Sequence, residues 1–203
     1  MIKTDNSPFK LSIERLGSLC DVVMGAVFVV LVLNIDIPDL SQVRTAHNLI
    51  DAFLQELPSL FSFVVCFLVV AKCWEIHNLL FNHVKQVDKR ILWLTLFYLL
   101  SISFLVFIAG MHVNFHDDTI VTAFSTSLIF PPFLLAMLCA RVVYSWKVDD
   151  SIYLSEGRKR AAVILMLKIF LIPAIALLSI ILTYINVKLA YYIWSLMFLV
   201  IFV

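Results

Sequence analysis

The chain has 203 residues, of which 63% are hydrophobic and 14% charged, with a formal net charge of +1. A soluble domain of this length cannot hide that much apolar surface, so the composition calls for an all-α, polytopic membrane protein. The near-neutral balance argues against a nucleic-acid partner, which would ask for a basic surface.

Residues 1–14 form a short polar lead carrying Lys3 and Lys10. Six apolar runs follow, at 16–37, 57–81, 91–112, 119–146, 161–185 and 189–203. Each lies near the ~20 residues that a bilayer requires, and together they read as one transmembrane domain over 1–203. The first run ends in Asp36-Ile37-Pro38-Asp39 rather than in a small-residue cleavage site, so it is expected to stay as an anchor. Between the first two runs, Ala46, Leu49, Ile50, Phe53, Leu54 and Leu57 recur at helical spacing, which predicts a short interfacial helix. Pro131-Pro132 predicts a kink in the fourth span and Pro173 one in the fifth. Cys20, Cys66, Cys73 and Cys139 all fall in apolar runs and are expected as buried free thiols.

Orientation follows from Lys and Arg. With the amino terminus inside, the cytoplasmic segments hold Lys3, Lys10, Arg15, Lys85, Lys89, Arg90, Lys147, Arg158, Lys159 and Arg160. The outer segments hold only Arg44 and Lys188, among six carboxylates. Both termini are therefore expected in the cytoplasm.

The first span, RLGSLCDVVMGAVFVVLVLNIDIP, carries more than an anchor needs. Arg15 stands at its mouth, with Asp21 roughly 9 Å further in. At 100° per residue, Arg15, Ser18, Val22, Ala26, Val29 and Leu33 share one face. Asp21 lies about 120° away, on a face with Gly17 and Gly25. A charge in a spanning helix costs about 2.5–3.5 kcal/mol near its centre, so each needs a partner. In the second span Trp74, His77 and Phe81 share a face; His77 is the expected partner of Asp21, and Asp88 of Arg15. Ordinary helix packing also accounts for both stripes.

No catalytic residue stands out: Gly-rich phosphate loops, nucleophile elbows and HExxH are missing. Glu75, His77 and His83 lack the spacing of a helical zinc pair, so neither a metal site nor a cofactor is expected. His112, His116, Asp117 and Asp118 read as a solvated loop rather than a cation site.

Two blocks resemble a known family. Arg15-x-x-x-Leu19-Cys20-Asp21 is similar to the Arg-x-x-x-Phe-Ser-Asp signature opening the first helix of the lysosomal potassium channel family and its bacterial homologues. Leu31-Val32-Leu33-Asn34-Ile35-Asp36-Ile37-Pro38 resembles that helix's ending, and Trp74-x-x-His77-x-x-Leu80-Phe81 through Asp88 to Leu92-Trp93-Leu94 resembles a second block. The resemblance implies a homotetramer of six-helix subunits in the cell membrane, in contact with lipid. The first helix of each subunit would line a pore for monovalent cations, potassium foremost. Carried onto this chain, the constriction falls at Ala26, Val29 and Leu33, with Val22 towards the inside. Arg15, Asp21, His77 and Asp88 become a polar network that locks the first three helices together.

Departures from the family pattern are Leu19 for Phe, Cys20 for Ser, Ala26 for a bulkier aliphatic residue, Val29 for a frequent threonine, and Thr95 for a frequent Asn. The alternatives are a non-conducting oligomeric membrane scaffold and, behind it, a small transporter. The transporter is disfavoured because the two halves show no matching interruptions.

Overall fold

The computed structural model describes residues 12–35, 57–82, 84, 87–114, 118–148 and 156–196, together with Ile50 and Leu54. In chain order these form α1 (Ile13–Leu33), α2 (Leu57–Phe81), α3 (Lys89–Asn114), α4 (Asp118–Ser127), α5 (Phe130–Val148), α6 (Glu156–Thr183) and α7 (Val187–Tyr192). A 3-10 turn, Ile193–Leu196, closes the described part of the chain.

Local chemistry sets the helix ends. Ser12, in an extended conformation, accepts a hydrogen bond from the Arg15 N–H at 3.3 Å, satisfying one of the donors that a helix start leaves open. Glu14 places a carboxylate in the same first turn, where the helix dipole favours it. At the other end Asn34 stops α1, and its side chain donates to the Val106 carbonyl of α3 at 3.3 Å. Gly110 makes room for that contact: a Cβ there would lie 3.0 Å from the Asn34 amide nitrogen. Asp88 caps α3, accepting from the Ile91 N–H at 2.7 Å.

The proline pair acts more strongly than a kink. α4 ends at Ser127, and α5 restarts at Phe130 with Pro131 and Pro132 in its first turn. There the missing N–H groups are not needed for helix bonds. Pro173, by contrast, stays inside α6.

α3 is the central element, packing on α1, α2, α4 and α5, while α6 packs on α4 and α5 and carries α7. Its core face is the regular stripe Ile91, Thr95, Tyr98, Ile102, Leu105 and Ala109. On α1 the buried stripe is Leu16, Cys20, Met24, Val27 and Leu31, set against α2 and α3. All four cysteines are buried and free. A buried polar knot ties the last elements down. The Ser179 hydroxyl donates to the Ala190 carbonyl at 2.9 Å and accepts from Trp194 Nε1 at 3.1 Å. Ser125 lies 3.0 Å away and supplies the proton of that third bond, so the capacity of the Ser179 hydroxyl is used in full.

Among the described residues, four stretches are long and apolar enough to cross a membrane: Ile13–Leu33, Leu60–Phe81, Lys89–Met111 and Thr122–Val143. α6 adds a shorter apolar segment, Ile169–Thr183. The run at 189–203 is represented only by α7 and the 3-10 turn up to Leu196; residues 197–203 lie outside the described residues. The interfacial helix expected before α2 also lies outside them, apart from Ile50 and Leu54, which are helical.

The two sides of α1 should respond differently to truncation. Met24→Ala removes fully buried bulk and is expected to cost about 2–5 kcal/mol of stability. Val29→Ala, on the exposed side, should stay within about 0.5 kcal/mol. Thermal unfolding of the purified protein, followed by size exclusion, checks the contrast.

Candidate functional site

Of the four candidate spans, α1 is the least covered: 28% of it is buried, against 39–50% for the others. Its free side is the apolar stripe read from the sequence. Val22 is 70% exposed, Val29 60% and Leu33 75%, and Ala26 is exposed between them. Helical phase explains why, since these positions lie about 150° from the buried stripe. From Val22 to Leu33 the face runs ~16 Å along the axis. No side chain of the stripe offers an oxygen or nitrogen, so it can set a width and exclude water but cannot ligate an ion.

Behind this face the polar groups meet partners, though not all the expected ones. Asp21 is exposed, and its Oδ1 accepts from Trp74 Nε1 of α2 at 3.2 Å. His77 is buried, with Nε2 3.6 Å from Cys20 Sγ and its ring stacked on Phe81 and Tyr98. Thus the bond to Asp21 comes from Trp74, while His77 turns to the neighbouring Cys20. Asp88 pairs with Arg141 of α5, not with Arg15. Arg15 is exposed and makes no ion pair among the described residues. Asp21, His77 and Trp74 are gathered where α1 meets α2, whereas Asp88 locks α3 to α5.

Sequence reasoning passed over two of these partners. Arg141 sits within a span, where a charge needs an opposite charge, and that was its signal. Trp74 was read only as part of an aromatic face, although its indole N–H is an obligate donor. Lys72 is also buried within α2 and pairs with Glu75 one turn on, at 2.9 Å. Among the described residues no group of three His, Cys, Asp or Glu side chains could hold a metal ion. The side chains of His112, His116 and Asp117 lie outside the described residues.

Several bilayer-length helices around a first helix that is clamped on one side and bare on the other define a polytopic membrane protein. Residues 15–105, from α1 through most of α3, match the family described as Endosomal/lysosomal potassium channel TMEM175, a family of ion channels and not of enzymes. Both sequence blocks lie within that stretch. Among solved structures, a lysosomal potassium-selective channel TMEM175 homolog from Chamaesiphon Minutus is similar with a TM-score of 0.75 and 16% identity, covering 94% of this chain and 95% of that one. A variant of the potassium channel MtTMEM175, in complex with a nanobody–MBP fusion, is similar with a TM-score of 0.63 and 15% identity, covering 96% and 91%. The shared fold therefore extends over almost the whole chain. No curated protein matches it.

Asp88 gives the clamp a pH dependence. Partial burial works to raise its pKa, but the Ile91 N–H and the Arg141 guanidinium outweigh this and hold it below the usual carboxylate value. A lowered folded-state pKa contributes stability that is present above the unfolded value and lost as pH falls through the folded one. As pH falls from about 5 to below the folded-state pKa, the native chain should lose about 0.5–1 kcal/mol through this group, a solvent-screened magnitude for a pair this exposed. Asp88→Asn, which keeps a capping oxygen, should abolish that component in a thermal-stability series against pH.

Proposed function

We propose that this chain is a cation channel permeable to potassium, working as a homotetramer in the cell membrane with both termini in the cytoplasm. In this reading α1 of each subunit lines the central pore, and Val22, Ala26, Val29 and Leu33 form the constriction. The observation that carries it is the exposure of a continuous apolar stripe on the least covered helix, opposite the stripe that packs against α2 and α3. The matched family supports the same reading, as do the two potassium channels that share the fold.

The mechanism follows from the chemistry of that stripe. Rings of aliphatic side chains bind no ion, so they gate by wetting: a narrow apolar neck empties of water and blocks, and a slightly wider one fills and conducts. Val29 carries no hydroxyl, so any preference for potassium arises from the width of the neck and from dehydration cost rather than from ligands at that level. Asp21 with Trp74, and His77 with Cys20, serve as the brace that holds the lining helix rather than as ion ligands, while Asp88 with Arg141 ties α3 to α5 behind it and Arg15 stands exposed at the mouth.

Potassium flux into proteoliposomes tests this. Leu33→Ala and Val29→Ala should each raise flux by widening the neck, while Phe104→Ala, on an exposed face of α3, should not. A potassium/sodium reversal potential then reads the selectivity. Purified protein that passes no cation current above empty liposomes would overturn conduction and leave the scaffold reading.

A further inference from the structure

Where α1, α2 and α3 meet there is a set of buried polar atoms that the brace does not use. Among the described residues, His77 Nδ1, the Tyr98 hydroxyl and the Thr95 hydroxyl have no hydrogen-bond partner. The three residues are 1%, 0% and 0% exposed. They belong to one neighbourhood. The His77 and Tyr98 rings lie parallel within 4°, with centroids 5.3 Å apart. Thr95 precedes Tyr98 by three residues on the same buried stripe of α3, a step of ~4.5 Å along the axis. On the other side of the imidazole, Nε2 is already engaged with Cys20 Sγ.

Each of these atoms would cost about 1–3 kcal/mol if left without a partner, and together they would consume much of a protein's net stability. Threonine has a local remedy, because its hydroxyl can rotate towards the carbonyl one turn back. The other two have none. Stacking holds the two rings side by side, and among the described residues neither the Tyr98 hydroxyl nor His77 Nδ1 has a protein partner, so a small group that both donates and accepts is what would satisfy them.

We propose that this junction is a hydration site, in which one or two ordered waters sealed from bulk solvent join His77 Nδ1 to the Tyr98 hydroxyl, with Thr95 as a further contact. Water fits the chemistry of the lining. An imidazole, a phenol and a hydroxyl together offer both donors and acceptors, as a bound water making about three hydrogen bonds requires. A cation would need a carboxylate, and the nearest one on α1, Asp21, is exposed and engaged by Trp74. Such a water ties α2 to α3 directly behind the buried stripe of α1. It does not depend on whether the chain conducts.

X-ray radiolytic footprinting of the intact protein in 18O-labelled water tests the site, because a bound water is activated in place and labels the side chain beside it. Tyr98 is expected to take up label at a rate comparable to exposed Trp93, while Trp194, equally buried and bonded to protein groups, stays unlabelled. Tyr98 remaining as unlabelled as Trp194 overturns the proposal. A second measurement needs no label. Tyr98→Phe should lower the unfolding midpoint if the hydroxyl holds a water, and a raised midpoint, the result for an orphaned hydroxyl, also overturns it. Should that variant fail to fold, labelling of the native chain still decides.

Discussion

α1 is apolar around most of its circumference, yet the subunit covers only one side of it. Its hold on the rest of the chain depends on the seam formed by Leu16, Cys20, Met24, Val27 and Leu31 against α2 and α3. Inside a bilayer such a seam draws little from the hydrophobic effect, because lipid tails are as apolar as leucine. Close packing and a few interhelical hydrogen bonds must do the work instead. This explains why the polar contacts of α1 are specific and few: Cys20 to His77, Asp21 to Trp74, and Asn34 to the Val106 carbonyl.

The same economy recurs away from α1. Two charges near the membrane boundary are answered in pairs, Asp88 by Arg141 and Lys72 by Glu75. The Asp88 carboxylate serves twice, since it also caps α3. Ser179 anchors the last described turn through hydroxyl and indole bonds rather than through a long apolar contact. Each device satisfies a polar group, and Asp88–Arg141 and the Ser179 bonds also join separate elements, whereas Lys72–Glu75 stays within α2.

Much of this architecture was legible in the residue pattern. Long apolar runs located α1, α2 and α3, and the 3.6-residue period grouped Val22, Ala26, Val29 and Leu33 on one face of α1, which is exposed; the second stripe it offered, Gly17, Asp21 and Gly25, is not the buried face, which is Leu16, Cys20, Met24, Val27 and Leu31. What the pattern could not supply was pairing between distant segments. Asp88 and Arg141 are 53 residues apart, and although a charge within a span calls for a partner, the pattern does not say which carboxylate Arg141 would meet. At the end of the chain the apolar run from 189 reads as a span; up to Leu196 it forms a short helix and a 3-10 turn pinned by Ser179, and residues 197–203 lie outside the described ones. The Pro131-Pro132 pair was read as a bend because proline position within a helix depends on where the helix starts, and the start at Phe130 is a tertiary outcome.

Two points of α1 are fastened to different helices. A little before its middle Asp21 is bonded to α2, and at its finish Asn34 is bonded to α3, seated over Gly110. Between them only van der Waals and ring contacts, such as Phe28 against Phe67 at 4.8 Å, restrain it. Mechanically the stretch from Asp21 to Asn34 is a beam supported at its two limits, whose deflection under a sideways load is greatest midway between them. Ala26 and Val29 sit at that point. In the proposed assembly, four such beams bowing outward by a fraction of an ångström would enlarge the bore in its middle while its two rims stay fixed.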